Sequence, residues 1–210
     1  MVRKDIKDFI ASIPKDVTIV AASKYVDVDD MKILLESGID NFGENRVDSF
    51  LRKYEILKSE NIKWHFIGHL QRNKAKQVIN KIDCLHSLDS IELAKLIEKE
   101  RNKPLDTFVE VSINGEINKN GVPLSEVHSF VEQILSYSNI NLVGLMMMSE
   151  LNSGISYNEQ FKKLRLLRDE LEKEFKISLP FLSMGMSGDY LYAIKEGATH
   201  IRLGRILFSL

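Results

Sequence analysis

Val17-Thr18-Ile19-Val20-Ala21-Ala22-Ser23-Lys24 is the stretch on which the fold turns. Five of its eight residues are apolar, with no polar alternation, the pattern of a strand covered on both faces. It closes on a lysine. An ammonium at the end of a buried strand is costly unless it reaches water, pairs with an anion or reacts. A solvated lysine is the ordinary outcome. A lysine whose pKa is depressed by burial is the usual amine for a Schiff base. The stretch alone leaves both open.

Working outward, further apolar runs predict strands at Asn41–Gly43, Trp64–Gly68, Cys84–Ser87, Phe108–Ile113, Leu142–Met148, Phe181–Met184 and His200–Phe208. Amphipathic segments lie between them. Met31, Leu34 and Leu35 form an apolar stripe closed by Gly38, and Asp89 with Glu92 reads as a capping box ahead of Leu93, Leu96 and Ile97. Pro123 suits a first helical position before Val127, Phe130, Val131 and Ile134. Phe161, Leu164, Leu167, Leu171 and Phe175 mark a long helix. Leu191 and Ile194 precede Gly197 on a short last one, and Ile6, Phe9 and Ile10 sit on an N-terminal helix. Eight strands alternating with seven helices imply a parallel sheet with right-handed crossovers, and eight repeats favour a closed (β/α)8 barrel, a TIM barrel, over an open sheet. With four prolines and no Gly/Ser-rich stretch, residues 1–210 read as a single domain.

Composition narrows the function. With 44% hydrophobic and 28% charged residues and a net charge of -1, the chain is ordinary for a soluble protein. That charge gives no bulk attraction to nucleic acid or anionic membrane. Arg72, Lys74, Lys76 and Lys81 cluster on an apparent helix start, where a solvated face is the simplest reading. One cysteine, Cys84, excludes an internal disulfide framework and a thiolate zinc site. Asp5, Lys7 and Asp8 break any signal-peptide core, and no apolar stretch is long enough to span a membrane, so the expected location is the cytoplasm.

A barrel gives position a meaning, because its chemistry gathers at the C-terminal ends of the strands. Lys24 ends the first strand, Gly43-Glu44-Asn45 the second, and Gly68 to Asn73 follows the third. Ser183-Met184-Gly185-Met186-Ser187 follows the seventh, and Arg202-Leu203-Gly204-Arg205 lies on or after the eighth. In the seventh loop glycine permits a tight turn, amides at a helix starting near Asp189 point outward, and Ser187 adds a hydroxyl. Gly204 lets a second backbone approach. Barrels often bind phosphate at these two loops. A phosphate subsite with a lysine across the mouth fits a ligand bearing a phosphate and an aldehyde, such as pyridoxal 5′-phosphate (PLP).

Six segments carry a family resemblance: Val20 to Lys24, Phe42-Gly43-Glu44-Asn45-Arg46, Trp64 to Lys74, Gly144-Leu145-Met146, Leu182 to Ser187 and Ile201-Arg202-Leu203-Gly204. In these the chain resembles the pyridoxal phosphate homeostasis proteins (the YggS/PROSC family), which look like the N-terminal barrel of alanine racemase standing alone. The resemblance implies that Lys24 is the Schiff-base lysine, Ser187 a phosphate ligand, and the backbone at Gly204 and Arg205 a second phosphate contact. It implies Arg202 at the pyridine nitrogen, Asn45 near the ring, and Met146 and Ser183 in contact positions. Arg205 replaces a threonine common in relatives, with loss of a hydroxyl. His69 replaces a common proline, and the chain ends Phe208-Ser209-Leu210 where relatives have a glycine and a tail.

An arginine at the pyridine nitrogen donates a hydrogen bond and disfavours its protonation, so the ring is a weaker electron sink than beside a carboxylate. Racemases of this shape bring a tyrosine base from a second domain, and this sequence stops just beyond the eighth strand. With Lys24 as the lone base, two-sided proton transfer is incomplete. The expectation is therefore a monomeric PLP carrier, possible donor to apo PLP-dependent enzymes, with no firmly catalytic residue beyond Lys24. The alternatives are a low-activity PLP-dependent racemase or a phosphate-binding barrel without PLP. No metal is expected. His65 and His69 have metal-motif spacing but straddle a strand and a loop, Cys84 and His86 read as an interior pair, and Glu110 as a structural one. Met146-Met147-Met148 reads as adaptable core packing, and no nucleotide-binding glycine motif occurs.

Overall fold

A computed structural model of the chain describes residues 1–24, 26–113, 120–151 and 153–208. Ser209 and Leu210, where the resemblance led us to expect a different chain end, fall outside the described residues. The barrel strands are β1 (Thr18–Ala22), β2 (Asn41–Glu44), β3 (Lys63–Phe66), β4 (Cys84–Leu88), β5 (Leu105–Ser112), β6 (Ile140–Met146), β7 (Phe181–Met186) and β8 (His200–Leu203). Each pairs in parallel with the next, and β8 returns to β1, so the sheet closes as a (β/α)8 barrel. The helices are α1 (Ile6–Ala11), α2 (Val28–Glu36), α3 (Val47–Leu57), α4 (Arg72–Ala75), α5 (Ile91–Glu100), α6 (Val127–Ile134), α7 (Tyr157–Phe175) and α8 (Tyr190–Lys195).

Sequence chemistry sets most of these boundaries. Asp27 caps α2 by accepting from the Asp30 amide at 2.9 Å, and Gly38, at φ +100, ends that helix region. Ser156 and Glu159 form a complete capping box at the start of α7. At α5 the cap falls one residue later than the pattern suggested: Ser90 caps, while Asp89 pairs with His69 Nδ1 at 2.9 Å. Pro123 also departs from expectation. It lies in a two-residue strand, Val122–Pro123, laid along the end of β5, and a 3-10 turn over Leu124–Glu126 leads into α6. A residue without an N–H sits well on such an edge. The last apolar run divides: β8 stops at Leu203, a 3-10 turn covers Arg205–Leu207, and Phe208 bridges antiparallel to Val2.

Most apolar burial lies between barrel and helices, for example where Phe50 of α3 meets Trp64 of β3 edge-on at 5.3 Å. Inside the barrel is a smaller apolar group of Cys84, Phe108, Val143 and Met146. Register aligns the functional end: Ala22 lies opposite Gly43, Val20 opposite Arg202, and Met186 opposite Arg202.

Candidate functional site

Lys24, Ser187, Arg202, Gly204 and Arg205 line one cavity of about 340 Å³ at the C-terminal mouth, together with Ser149 and Tyr157 among others. That volume is within the range of small-molecule sites. Lys24 is exposed, two residues beyond the end of β1, the solvated setting that is ordinary for a lysine closing a strand. Among the described residues the buried lysine is Lys53 on α3. Its Nζ lies 2.5 Å from Glu44 Oε1 and also donates to the Ser23 carbonyl, while Ser23 Oγ donates to the same carboxylate oxygen at 2.9 Å. This ion pair pins the backbone just before Lys24. Sequence reading missed Lys53, although its spacing gave a signal: it lies on the apolar stripe between Phe50 and Leu57.

The loop after β7 is shaped by Gly185, whose φ of +93 disfavours other residues and whose added Cβ would lie 2.6 Å from Ala193 Cβ. Strand and α8 therefore run close together, and α8 starts just after Asp189. The Asp189 carboxylate turns back to accept from the Met186 amide at 2.5 Å and from Ser149 Oγ. Two amides of the neighbouring loop, Gly204 N–H at 3.2 Å and Ile206 N–H at 3.4 Å, converge on Ser187 Oγ. Hydroxyl and amides thus form a compact donor set suited to phosphate oxygens, with the Arg205 guanidinium on the same wall. The Ile206 amide was not foreseen, because it reaches Ser187 only through the turn at Gly204.

Arg202 lies within the barrel, one guanidinium nitrogen donating to Ser183 Oγ at 2.6 Å and another to the Met147 carbonyl at 2.8 Å. Burial pulls its pKa down to about 10, against the carboxylates of Glu110 and Asp189, which favour the charged form. Ser183 is thus a support beneath Arg202. From it a line of hydrogen bonds crosses the barrel: Ser183 Oγ to His86 Nδ1, His86 Nε2 to His65 Nδ1, and His65 Nε2 to Asn41 Oδ1, each 2.8 Å. Asn41 Nδ2 then donates to Asp40 at 2.7 Å. Burial lowers His65 to about 3 and His86 well below its ordinary value, so both rings are neutral. A carboxylate only accepts, which gives every member its role: Asn41 offers its oxygen, both rings donate from Nε2, and Ser183 donates to His86.

The remaining candidates fall outside the cavity wall. Met146 is fully buried in the interior apolar group. Asn45 follows β2, and its Oδ1 is buried without a hydrogen-bond partner among the described residues. Glu110 lies inside the barrel, its carboxyl pushed up to about 7 by burial and by Asp89. His65 and His69 part company, one in the interior and one exposed beside Asp89.

Comparison with known proteins places this arrangement. The family model for the N-terminal domain of alanine racemase matches residues 11–210. A pyridoxal phosphate homeostasis protein of Aquifex aeolicus is 42% identical over 195 residues, covering 91% of this chain and 86% of its own. The structure of PipY from Synechococcus elongatus with PLP bound superposes with a TM-score of 0.89 at 28% identity, over 97% of this chain and all of that one. Alanine racemase of Clostridium difficile shares the fold, at 15% identity and a TM-score of 0.79, and this chain spans 61% of its length. The chain belongs to the pyridoxal phosphate homeostasis protein family, built on the alanine racemase N-terminal barrel.

Proposed function

We propose that this chain binds PLP at the C-terminal mouth of its barrel and serves in cellular PLP homeostasis. The observation that carries the reading is the convergence of a primary amine, a buried guanidinium and a hydroxyl–amide donor set on one cavity. These match an aldehyde, a pyridine nitrogen and a phosphate. Lys24 holds the cofactor as a Schiff base, formed with loss of water. Ser187, the amides of Gly204 and Ile206, and Arg205 take the phosphate. Arg202 donates to the ring nitrogen, and the unpartnered Asn45 Oδ1 supplies an acceptor near the ring. Ser183 and Met146 support this wall from within the barrel.

When bound, PLP supplies an electron-withdrawing ring, and the residues around it decide how strongly that ring acts. Arg202 is held as a donor by Ser183 and the Met147 carbonyl, and a guanidinium at the ring nitrogen disfavours the protonation that a carboxylate would favour. Catalysis is muted on this reading, and the chain acts as a monomeric cytoplasmic carrier from which apo PLP-dependent enzymes draw cofactor. Residues 1–210 form the one binding unit. Among the described residues no helix is long and apolar enough to cross a membrane.

The test is the visible spectrum of the purified protein after PLP addition, beside Lys24→Ala. A Schiff-base band in the wild type that disappears in Lys24→Ala, with alanine racemisation at background, is the expected result. Lys24-dependent racemisation would move the assignment to an enzyme. A wild type without the band would remove PLP and leave a phosphate site.

A further inference from the structure

A second polar centre occupies the barrel interior toward the opposite mouth. His65 of β3 and Cys84 and His86 of β4 are all buried. His65 lies in register with Cys84, and Cys84 and His86 flank Leu85, so the pleat sends both to one face. One donor atom from each residue falls within 4.8 Å of the other two. Tetrahedral zinc bonds of about 2.0–2.3 Å place ligand atoms roughly 3.3–3.6 Å apart. His65 Nδ1 and His86 Nε2 now lie at 2.8 Å and need open by only about half an ångström to meet that spacing.

Three further features distinguish this cluster from two imidazoles that merely satisfy each other. The far nitrogen of each ring is already held, His65 Nε2 by Asn41 Oδ1 and His86 Nδ1 by Ser183 Oγ. Such outer partners fix the orientation of ligating histidines. A thiol stands beside the pair, and a hydrogen-bonded imidazole pair has no need of one. A cavity of about 350 Å³, lined by His65, Cys84, His200, Lys63, Asp83 and Asp106 among others, gives a way in, with two carboxylates against one ammonium.

We propose that His65 Nδ1, Cys84 Sγ and His86 Nε2 form a binding site for a borderline-soft divalent transition-metal ion, with Zn²⁺ as its type. The fourth position faces the cavity and takes water. Two imidazoles and a thiolate are nitrogen and sulfur ligands of the kind zinc prefers. Binding costs one proton per ion: Cys84 becomes a thiolate and releases its hydrogen to solvent. His86 keeps its proton count, moving the hydrogen from Nε2 to Nδ1, where Ser183 Oγ accepts it. His65 stays protonated at Nε2 against Asn41. On the sequence alone the single cysteine reads as excluding a thiolate zinc site; it suffices once barrel closure brings two histidines to it.

The test titrates chelator-treated protein, without added PLP, with Co²⁺ and then Zn²⁺, following the visible spectrum, heat and proton release. One Co²⁺ per chain, a sulfur-to-cobalt charge-transfer band and one proton released are expected, with Zn²⁺ displacing the cobalt. Cys84→Ser, a near-isosteric change whose fold circular dichroism checks, loses the band and binds at least about 100-fold more weakly. Asn41→Ala, which removes only an outer partner, weakens binding about 10–100-fold. Lys24→Ala binds the metal as the wild type does, so failure of the PLP reading and failure of this one are separable. No stoichiometric uptake by the wild type, or uptake unchanged in Cys84→Ser, overturns the proposal.

Discussion

Glu110 is a carboxyl group whose surroundings favour its neutral form. Burial is the main cause and Asp89 adds to it, while Arg202 and His69 pull the other way. Its folded pKa of about 7 lies above the ordinary 4.5, so between those values the folded chain binds more protons than the unfolded one. Stability from this group is full below about pH 4.5 and is lost as pH rises toward 7. Comparing wild type with Glu110→Gln by urea unfolding across this window cancels the other groups. The wild type should lose on the order of 3 kcal/mol relative to the variant between the two ends; a pH-independent difference would refute the assignment. At this scale the gathering of Lys24, Ser187 and Arg202 at one cavity was legible in the sequence, because their order places them at or just after strand ends. Their environments were not. Burial of Lys53 and exposure of Lys24 depend on which way one helix and one turn face, which the apolar run before Lys24 left open.

At the scale of elements, β6 and β7 approach so closely at Gly144 that an added Cβ would lie 1.9 Å from the Phe181 carbonyl oxygen. The nearest obstacle is backbone rather than the end of a flexible side chain, with the Phe108 ring next at 3.2 Å, so Gly144→Ala must part the two strands. The expected outcome is a loss of several kcal/mol in thermal or urea unfolding, or failure to accumulate as soluble protein. Near-wild-type stability would show that the seam opens easily. Strand and helix existence was readable from periodicity, since each apolar run had to be covered. Boundaries were less so. Asp89 and Ser90 are both good caps, and only the contact with His69 decides between them. Pro123 likewise follows β5, because the partner edge is visible only in three dimensions.

For the whole molecule, closure makes every strand a neighbour of two others, and no edge of the ring can leave alone. Trp64, the single tryptophan, sits on β3, away from the β6–β7 seam. Unfolding followed by Trp64 fluorescence and by far-ultraviolet circular dichroism should therefore give coincident urea transitions. Separate midpoints would mean that half-barrels unfold independently. The barrel could be read in the sequence from eightfold alternation, whereas the polar line through its centre could not, because Asn41, His65, His86 and Ser183 come from four strands and meet only through register. That line has a property of its own. From Arg202 to Asp40 each hydrogen points the same way, so the bond dipoles add head to tail as they do along an α-helix. Its negative end rests on a guanidinium and its positive end on a carboxylate, as in a helix with a cation at its C-terminus and an anion at its N-terminus. The barrel thus contains a capped electrical axis assembled from side chains, lying across the strands that hold it.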